Sequence, residues 1–123
     1  MEMQEVIKRC KGLVSSSMRD CKRIIELLSR FTEGKTYGHP ETACLGFFAT
    51  ASSKMMAAEM LYVYIEESPS LGDEASSDVF VYYREMEHEF MDAYADDESY
   101  QQVFALYDQL TARIEESLFR TTI

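Results

Sequence analysis

The residues with the clearest chemical potential lie in the stretch REMEHEF, residues 84–90. It places Glu85 and His88 at a Glu-x-x-His spacing, and Asp92 follows one helical turn after the histidine. On the inward face of some four-helix bundles, this spacing supplies the carboxylate and imidazole ligands of iron or manganese. One hypothesis is therefore a metal-binding bundle that uses Glu85, His88 and Asp92.

A helical wheel limits that hypothesis. Successive residues turn by about 100° around a helix axis, which puts His88 roughly 170° from the centre of the apolar face around Met86. An internal di-iron site also needs two Glu-x-x-His pairs, whereas the sequence holds two histidines, and the other, His39, precedes Pro40 in a predicted loop. The sequence thus predicts an exposed His88, where a few ligands on one helix bind a divalent ion weakly unless a second chain completes the shell.

A second candidate is an internal pocket around Glu59, with Tyr62 one turn away. Glu59 is the one acid that the wheel places beside an apolar stripe, and loss of water favours the protonated form of a carboxylate, which is how many enzymes prepare a general acid. The alternative is that Glu59 lies at the boundary of the core and reaches either solvent or an arginine of the first helical segment.

A third candidate is a binding surface on the second helical segment, opposite its core stripe. Its positions recur at spacings of four and three and are mostly small or apolar: Gly46, Thr50, Ser53, Ala57, Met60 and Tyr64. If this face is exposed, Met60, Leu61 and Tyr64 form an apolar patch, and a homodimer or a partner helix is the natural consequence. The alternative is that the first and third helices cover this face.

Three breaks divide the chain into the elements that must position these candidates. Gly and Pro mark breaks at residues 32–40 and 68–77, and an acidic corner marks residues 96–99. Each segment between them carries apolar residues at helical spacing. The predicted core positions are Met3, Ile7, Cys10, Val14, Ser17, Cys21, Ile24, Leu28 and Phe31; Cys44, Phe48, Ala51, Met55, Ala58, Tyr62 and Ile65; Val79, Tyr83, Met86, Phe90 and Tyr94; and Val103, Tyr107, Leu110, Ile114 and Leu118.

Helix start signals accompany these stripes. Pro40 suits the first turn of the second helix, Ser77 or Asp78 can cap the third, and Ser99 with the residue three positions later has the spacing of a capping box. The β-prone run 79–83 is overridden by the helical spacing that follows it. Short links favour antiparallel neighbours, so we predict one all-α domain, residues 1–123, folded as an antiparallel up-down-up-down four-helix bundle.

Charge is distributed unevenly along the chain. Residues 1–35 carry eight Lys and Arg against five Asp and Glu, a net of plus 3, and the remaining residues carry four against seventeen, a net of minus 13. An acidic body repels nucleic acid and anionic membranes and suits a basic protein partner. The apolar run 42–65 is interrupted by Lys54 and Glu59, which argues against a transmembrane helix.

The three cysteines, Cys10, Cys21 and Cys44, fall on the apolar stripes, and their odd number does not fit a disulfide scaffold. The N-terminus also lacks the apolar region of a signal peptide. We therefore expect buried free thiols in a soluble, cytoplasmic protein.

Taken together, these patterns favour a small, acidic, non-enzymatic protein–protein interaction module of the inhibitor, immunity, chaperone or regulatory type. Its partner is expected to be another protein, either a basic one or a second copy that docks on the second helix. The alternatives are the metal-binding bundle and the small enzyme with a pocket near Glu59 described above. No cofactor, nucleic acid or membrane is expected to take part.

Overall fold

The computed structural model describes residues 2–35, 40–68, 72–96 and 99–120, and within these ranges the chain forms four α-helices and no strand. They are α1 (Met3–Thr32), α2 (Glu41–Glu66), α3 (Glu74–Asp96) and α4 (Gln101–Glu115). The helices pack as a four-helix bundle, which confirms the predicted fold class. The β-prone run 79–83 lies inside α3, because core positions at helical spacing continue on both sides of it.

Consecutive helices run antiparallel, and α4 returns beside α1. One contact for each of three pairs, α2 with α3, α3 with α4 and α1 with α4, shows the direction: Phe48 with Phe90 (ring centroids 4.7 Å apart), Asp78 with Arg113 (3.7 Å) and Phe31 with Tyr100 (6.2 Å). In each case a residue near one end of a helix meets a residue near the opposite end of its neighbour. The links that join the helices are short, as expected for this topology.

The closest helix packing is between α1 and α2. Two thiols and one hydroxyl donate to backbone carbonyls of the neighbouring helix: Cys10 Sγ to Ala58 O at 3.2 Å, Ser17 Oγ to Ala51 O at 2.9 Å and Cys44 Sγ to Ile24 O at 4.0 Å. The partners step seven residues along one helix and seven back along the other, which is the heptad period of coiled coils. Small side chains at these positions allow the two backbones to approach closely.

The predicted core positions are confirmed most fully in α2, where all seven are buried. In α3, the prediction that Tyr94 lies in the core is wrong: Tyr94 is 44% exposed, and its neighbour Ala93 is buried instead. Tyr100 fills the core at this end of the bundle and stacks on Phe90 with the ring centroids 6.0 Å apart. Phe90 thus contacts both rings, the exposed Tyr94 at 6.0 Å and the buried Tyr100 at 6.0 Å between ring centroids.

The end of α4 also differs from the prediction. The helix ends at Glu115 and the chain turns, so Leu118 is only partly buried and Phe119 becomes the core residue. Phe119 packs against Phe80, whose burial the stripe in α3 missed, with the ring centroids 5.9 Å apart. In α4, Leu106 is buried and the predicted core residue Tyr107 is only partly buried, because the apolar stripe is shifted by one position there.

Two helix start signals were assigned to the wrong residues. The third helix begins at Glu74, and Asp73 is its cap, with Asp73 Oδ1 accepting a hydrogen bond from the Ser76 N–H at 2.5 Å. Ser77 therefore lies inside the helix rather than before it. The fourth helix begins at Gln101 with Tyr100 in the N-cap position and no cap bond from the Tyr100 side chain, one residue later than the capping-box spacing implied.

The end of α1 is set by Gly34, whose φ of +69° lies in the left-handed region. The Gly34 N–H donates to Phe31 O at 3.0 Å and the Lys35 N–H donates to Arg30 O at 2.9 Å. This pair of bonds is the Schellman motif, which satisfies carbonyls at a helix end and favours glycine at that position.

The apolar segment predicted for the second helix is α2, which buries one face in the core while Lys54 and Glu59 form ion pairs with neighbouring helices. Across the described part of the chain, no helix has the length and apolar character required to cross a membrane.

Candidate functional site

The face of α2 opposite the core, the outer face, consists of the six positions Gly46, Thr50, Ser53, Ala57, Met60 and Tyr64. All are exposed except Ala57, which is half-buried; Met60 is 72% exposed and Tyr64 is 61% exposed. Within the described residues, α1 and α3 therefore do not cover this face. The outer face is thus exposed to solvent rather than covered by its neighbours. Its role as an interface stays a prediction.

The apolar end of the outer face is an open surface. It is formed by Ala57, Met60, Leu61, Val63, Tyr64 and Glu67. Val63 is 49% exposed and Met56, on the side towards α3, is 64% exposed. Met56, Val63 and Glu67 are not among the six predicted positions, although a helical wheel places them at the edge of the same face.

The small-residue end of the outer face adjoins α1. The Thr50 hydroxyl lies 3.1 Å from Asp20 Oδ2, and Lys54 Nζ lies 2.7 Å from the same oxygen, so α1 fixes the register of this half of α2. A Cβ added at Gly46 would meet no atom within 4 Å. Close by, a groove of about 300 Å³ runs between the helices, and it is lined by Arg23, Glu26, Leu27, Arg30, Ala43 and Phe47.

Glu59 lies at the rim of a cleft of about 320 Å³ between α2 and α3. Arg84 Nη1 lies 2.9 and 2.8 Å from its two carboxylate oxygens. The arginine that Glu59 reaches thus belongs to the third helix, not the first as the alternative interpretation expected. The other lining residues are Ser52, Met55, Met56, Phe80, Tyr83 and Glu87.

Tyr62 does not join Glu59 in this cleft. Its hydroxyl donates to Asp73 O at 2.6 Å and accepts from the Asp73 N–H at 3.0 Å, which ties the end of α2 to the start of α3. Burial raises the pKa of Tyr62 above its ordinary value. The tyrosine in the cleft is Tyr83, whose pKa burial also raises strongly and whose hydroxyl lies 3.3 Å from Phe48 O.

His88 is exposed over 74% of its side chain, as the helical wheel predicted. His88 Nε2 lies 3.3 Å from Asp92 Oδ2, one turn along the same helix. Among the residues whose positions are described, no group of three or more His, Cys, Asp and Glu side chains is arranged to hold a metal ion. Glu85 therefore does not complete a three-ligand group with His88 and Asp92 in this chain, and a site shared with a second chain stays a prediction.

The three cysteines are free and buried. Burial raises the pKa of Cys10, Cys21 and Cys44 to about 12, and at Cys44 the charge of Glu41 adds to the effect. A thiol reacts as its thiolate, so none of them has the environment of a nucleophile. Cys10 and Cys44 lie in the contact between α1 and α2, here called the seam, where their thiols face backbone carbonyls of the neighbouring helix.

Comparison with known proteins identifies no relative of this chain. The chain matches no protein-family model, and no curated protein and no solved structure matches it significantly. Any functional assignment therefore depends on the surfaces described above.

Proposed function

We propose that this protein is a non-enzymatic protein–protein interaction module whose binding surface is the outer face of α2. The observation that carries the proposal is the group of large apolar side chains exposed on one helix: Met56, Met60, Val63 and Tyr64. Monomeric proteins seldom expose contiguous apolar patches of this kind, and such patches commonly mark binding sites. The proposal covers the inhibitor, immunity, chaperone and regulatory types, which have in common that they bind another protein.

The surface is well suited to binding because its scaffold is rigid. Cys10 and Ser17 bond across the seam to carbonyls of α2, and Tyr62 anchors the far end of the helix. A partner would therefore meet a preformed face and lose little binding energy to ordering it. Removing a side chain as large as that of Met60 from water contributes on the order of 1.5–3 kcal/mol.

The polar groups beside the α2–α3 cleft support a binding role over a catalytic one. Both carboxylate oxygens of Glu59 are occupied by Arg84, and the Tyr83 hydroxyl faces a backbone carbonyl. A general acid or base needs a free position directed at a substrate, whereas Glu59 is directed at Arg84 and Tyr83 at a backbone carbonyl. The cleft instead extends the apolar surface through Met56, which lines it and is exposed.

The experiment is site-specific photo-crosslinking in the cells that make the protein. A photoreactive amino acid at Met60 should give a discrete covalent adduct with a protein when the cells are irradiated. The matched control carries the same amino acid at Gln109, which is exposed on α4. Adducts from position 60 that are absent from position 109 support the proposal, whereas identical patterns or no adducts from either position contradict it.

A further inference from the structure

We infer that the outer face of α2 is occupied by a second copy of this chain, packed antiparallel across a two-fold axis near Ser53 and Ala57. This inference rests on the proposed function, because it names the partner of the same surface. A two-fold interface must be self-complementary, since one surface patch meets itself. The outer face has this property in both size and charge.

Size complementarity follows from the spacing of the six positions. Read from either end, the outer face steps by four, three, four, three and four residues. An antiparallel copy therefore places Gly46 opposite Tyr64, Thr50 opposite Met60 and Ser53 opposite Ala57. Each large side chain at one end meets a small residue at the other, so the two helices can interdigitate along about 27 Å.

Charge complementarity comes from α1, which flanks α2. The bonds of the seam place Arg23 level with the small-residue end of the outer face and Glu5 level with its apolar end. The two residues are exposed and eighteen positions apart, which is five helical turns, so they lie on one face of α1. In the antiparallel dimer we expect Arg23 of each copy to lie near the level of Glu5 of the other, whereas a parallel dimer would bring like charges to the same level, so charge favours the antiparallel arrangement.

The strong net negative charge does not oppose this contact directly. Between Glu41 and Glu66, the only charged residues of α2 are Lys54 and Glu59, and each is paired within the monomer. At physiological salt, charges farther apart than about 8 Å are largely screened. Acids of α3 and α4 that lie farther than this from the contact therefore weaken self-association only slightly.

The expected dimer is a reversible one. Stable interfaces bury about 800 Å² on each partner, and a single helix pair with a charged rim buries less. We therefore expect a dissociation constant in the micromolar range, on the order of 10 μM, typical of small and transient interfaces.

The first test is sedimentation velocity over a concentration series at about 0.15 M salt. The wild type should shift from monomer to dimer, and Ala57→Arg should weaken the dimer by at least about tenfold, because it places a bulky charge beside the two-fold axis. Ala105→Arg on the exposed side of α4 is the matched control and should leave the dimer unchanged. A wild type that stays monomeric up to about 200 μM, well above the expected constant, overturns the inference, as does a dimer insensitive to Ala57→Arg.

The second test examines the register. Gly46→Leu places a large residue against Tyr64 and should weaken the dimer, and Tyr64→Ala removes the anchor with the same result. The double variant again pairs a large residue with a small one and should recover the dimer to within about threefold of the wild type. Circular dichroism checks that each variant folds. A double variant weaker than both single variants contradicts the antiparallel register.

Crosslinking from position 60 separates this inference from the proposed function. Adducts of twice the chain mass support both, whereas adducts with a different protein and a monomeric wild type support the proposed function and overturn the second copy as partner. If position 60 behaves like position 109 and the wild type is monomeric, both fail.

Discussion

At the scale of single residues, the seam between α1 and α2 depends on side chains that are small and can still donate a hydrogen bond. Ser17 is fully buried, and its hydroxyl donates to Ala51 O at 2.9 Å. Alanine there would preserve the packing, but a longer side chain would force the helices apart. Residue size at this position therefore has a larger effect on the fold than residue polarity.

We expect Ser17→Leu to lower the free energy of unfolding by about 1–3 kcal/mol through overpacking. Ser17→Ala should lower it by about 1 kcal/mol, the net value of a typical buried hydrogen bond. The control is Ser16→Leu, one position away and only partly buried, which should have a much smaller effect. Urea denaturation followed by circular dichroism measures all three, and equal losses for the two leucine variants would contradict the tight seam.

At the scale of helices, two local features decide where α3 begins and where α1 ends. Asp73 caps α3 by accepting a hydrogen bond from the Ser76 N–H. The sequence predicted Ser77, four residues later, as a cap. Gly34 ends α1 in a left-handed conformation. Both features can be tested by pairs of identical substitutions.

The cap prediction compares Asp73→Ala with Ser77→Ala. Loss of the Asp73 carboxylate leaves a helix N–H without its acceptor and should cost about 1 kcal/mol. Ser77→Ala, within the first turns of the same helix, should change stability by less than about 0.5 kcal/mol. Thermal unfolding distinguishes the two, and a larger loss at Ser77 would mean that α3 starts later.

The glycine prediction compares a position just after the end of α1 with a position inside it. Gly34→Ala should destabilise the protein by about 1 kcal/mol, because L-residues are strained at a φ of +69°. Gly12→Ala should instead stabilise it by roughly 0.5–1 kcal/mol, because Gly12 lies in mid-helix with nothing within 4 Å of an added Cβ. Opposite signs for the same substitution are the expected result in denaturant titrations, and equal signs would contradict the Schellman end of α1.

At the scale of the whole molecule, the buried thiols link stability to pH. The ordinary pKa of a cysteine thiol is 9.0, and burial raises those of Cys10, Cys21 and Cys44 to about 12. The unfolded chain therefore releases protons above pH 9 that the folded chain retains. The contribution of the buried, protonated thiols to the free energy of unfolding is therefore complete below pH 9 and is lost as the pH rises towards 12.

We expect the urea midpoint to be constant from about pH 7 to 8 and to fall above about pH 9, with each thiol contributing up to about 1.4 kcal/mol per pH unit. The raised pKa values of the buried Tyr62 and Tyr83 add to the decline at higher pH. Cys10→Ala should make the decline shallower, because the variant releases up to one proton fewer on unfolding at high pH. A midpoint that does not change up to about pH 10.5 would contradict burial of the thiols.

The sequence by itself determined the helical class, the antiparallel order and most of the core. These follow from apolar residues that recur at helical spacing, and the second segment shows it best, with every predicted position buried. The wheel likewise directed His88 to solvent, because orientation around one helix is a local property. Glycine and proline marked the breaks for the same local reason.

Only the tertiary structure decided what the helices present to one another and to solvent. The exposure of the outer face depended on where α1 and α3 pack, and the partner of Glu59 proved to be Arg84, from the third helix rather than the first. The burial of Tyr100 beside Phe90, while Tyr94 stays exposed, likewise depends on contacts between segments. Periodicity fixes the direction of a side chain around its own axis, but burial and pairing depend on neighbours that no single segment encodes.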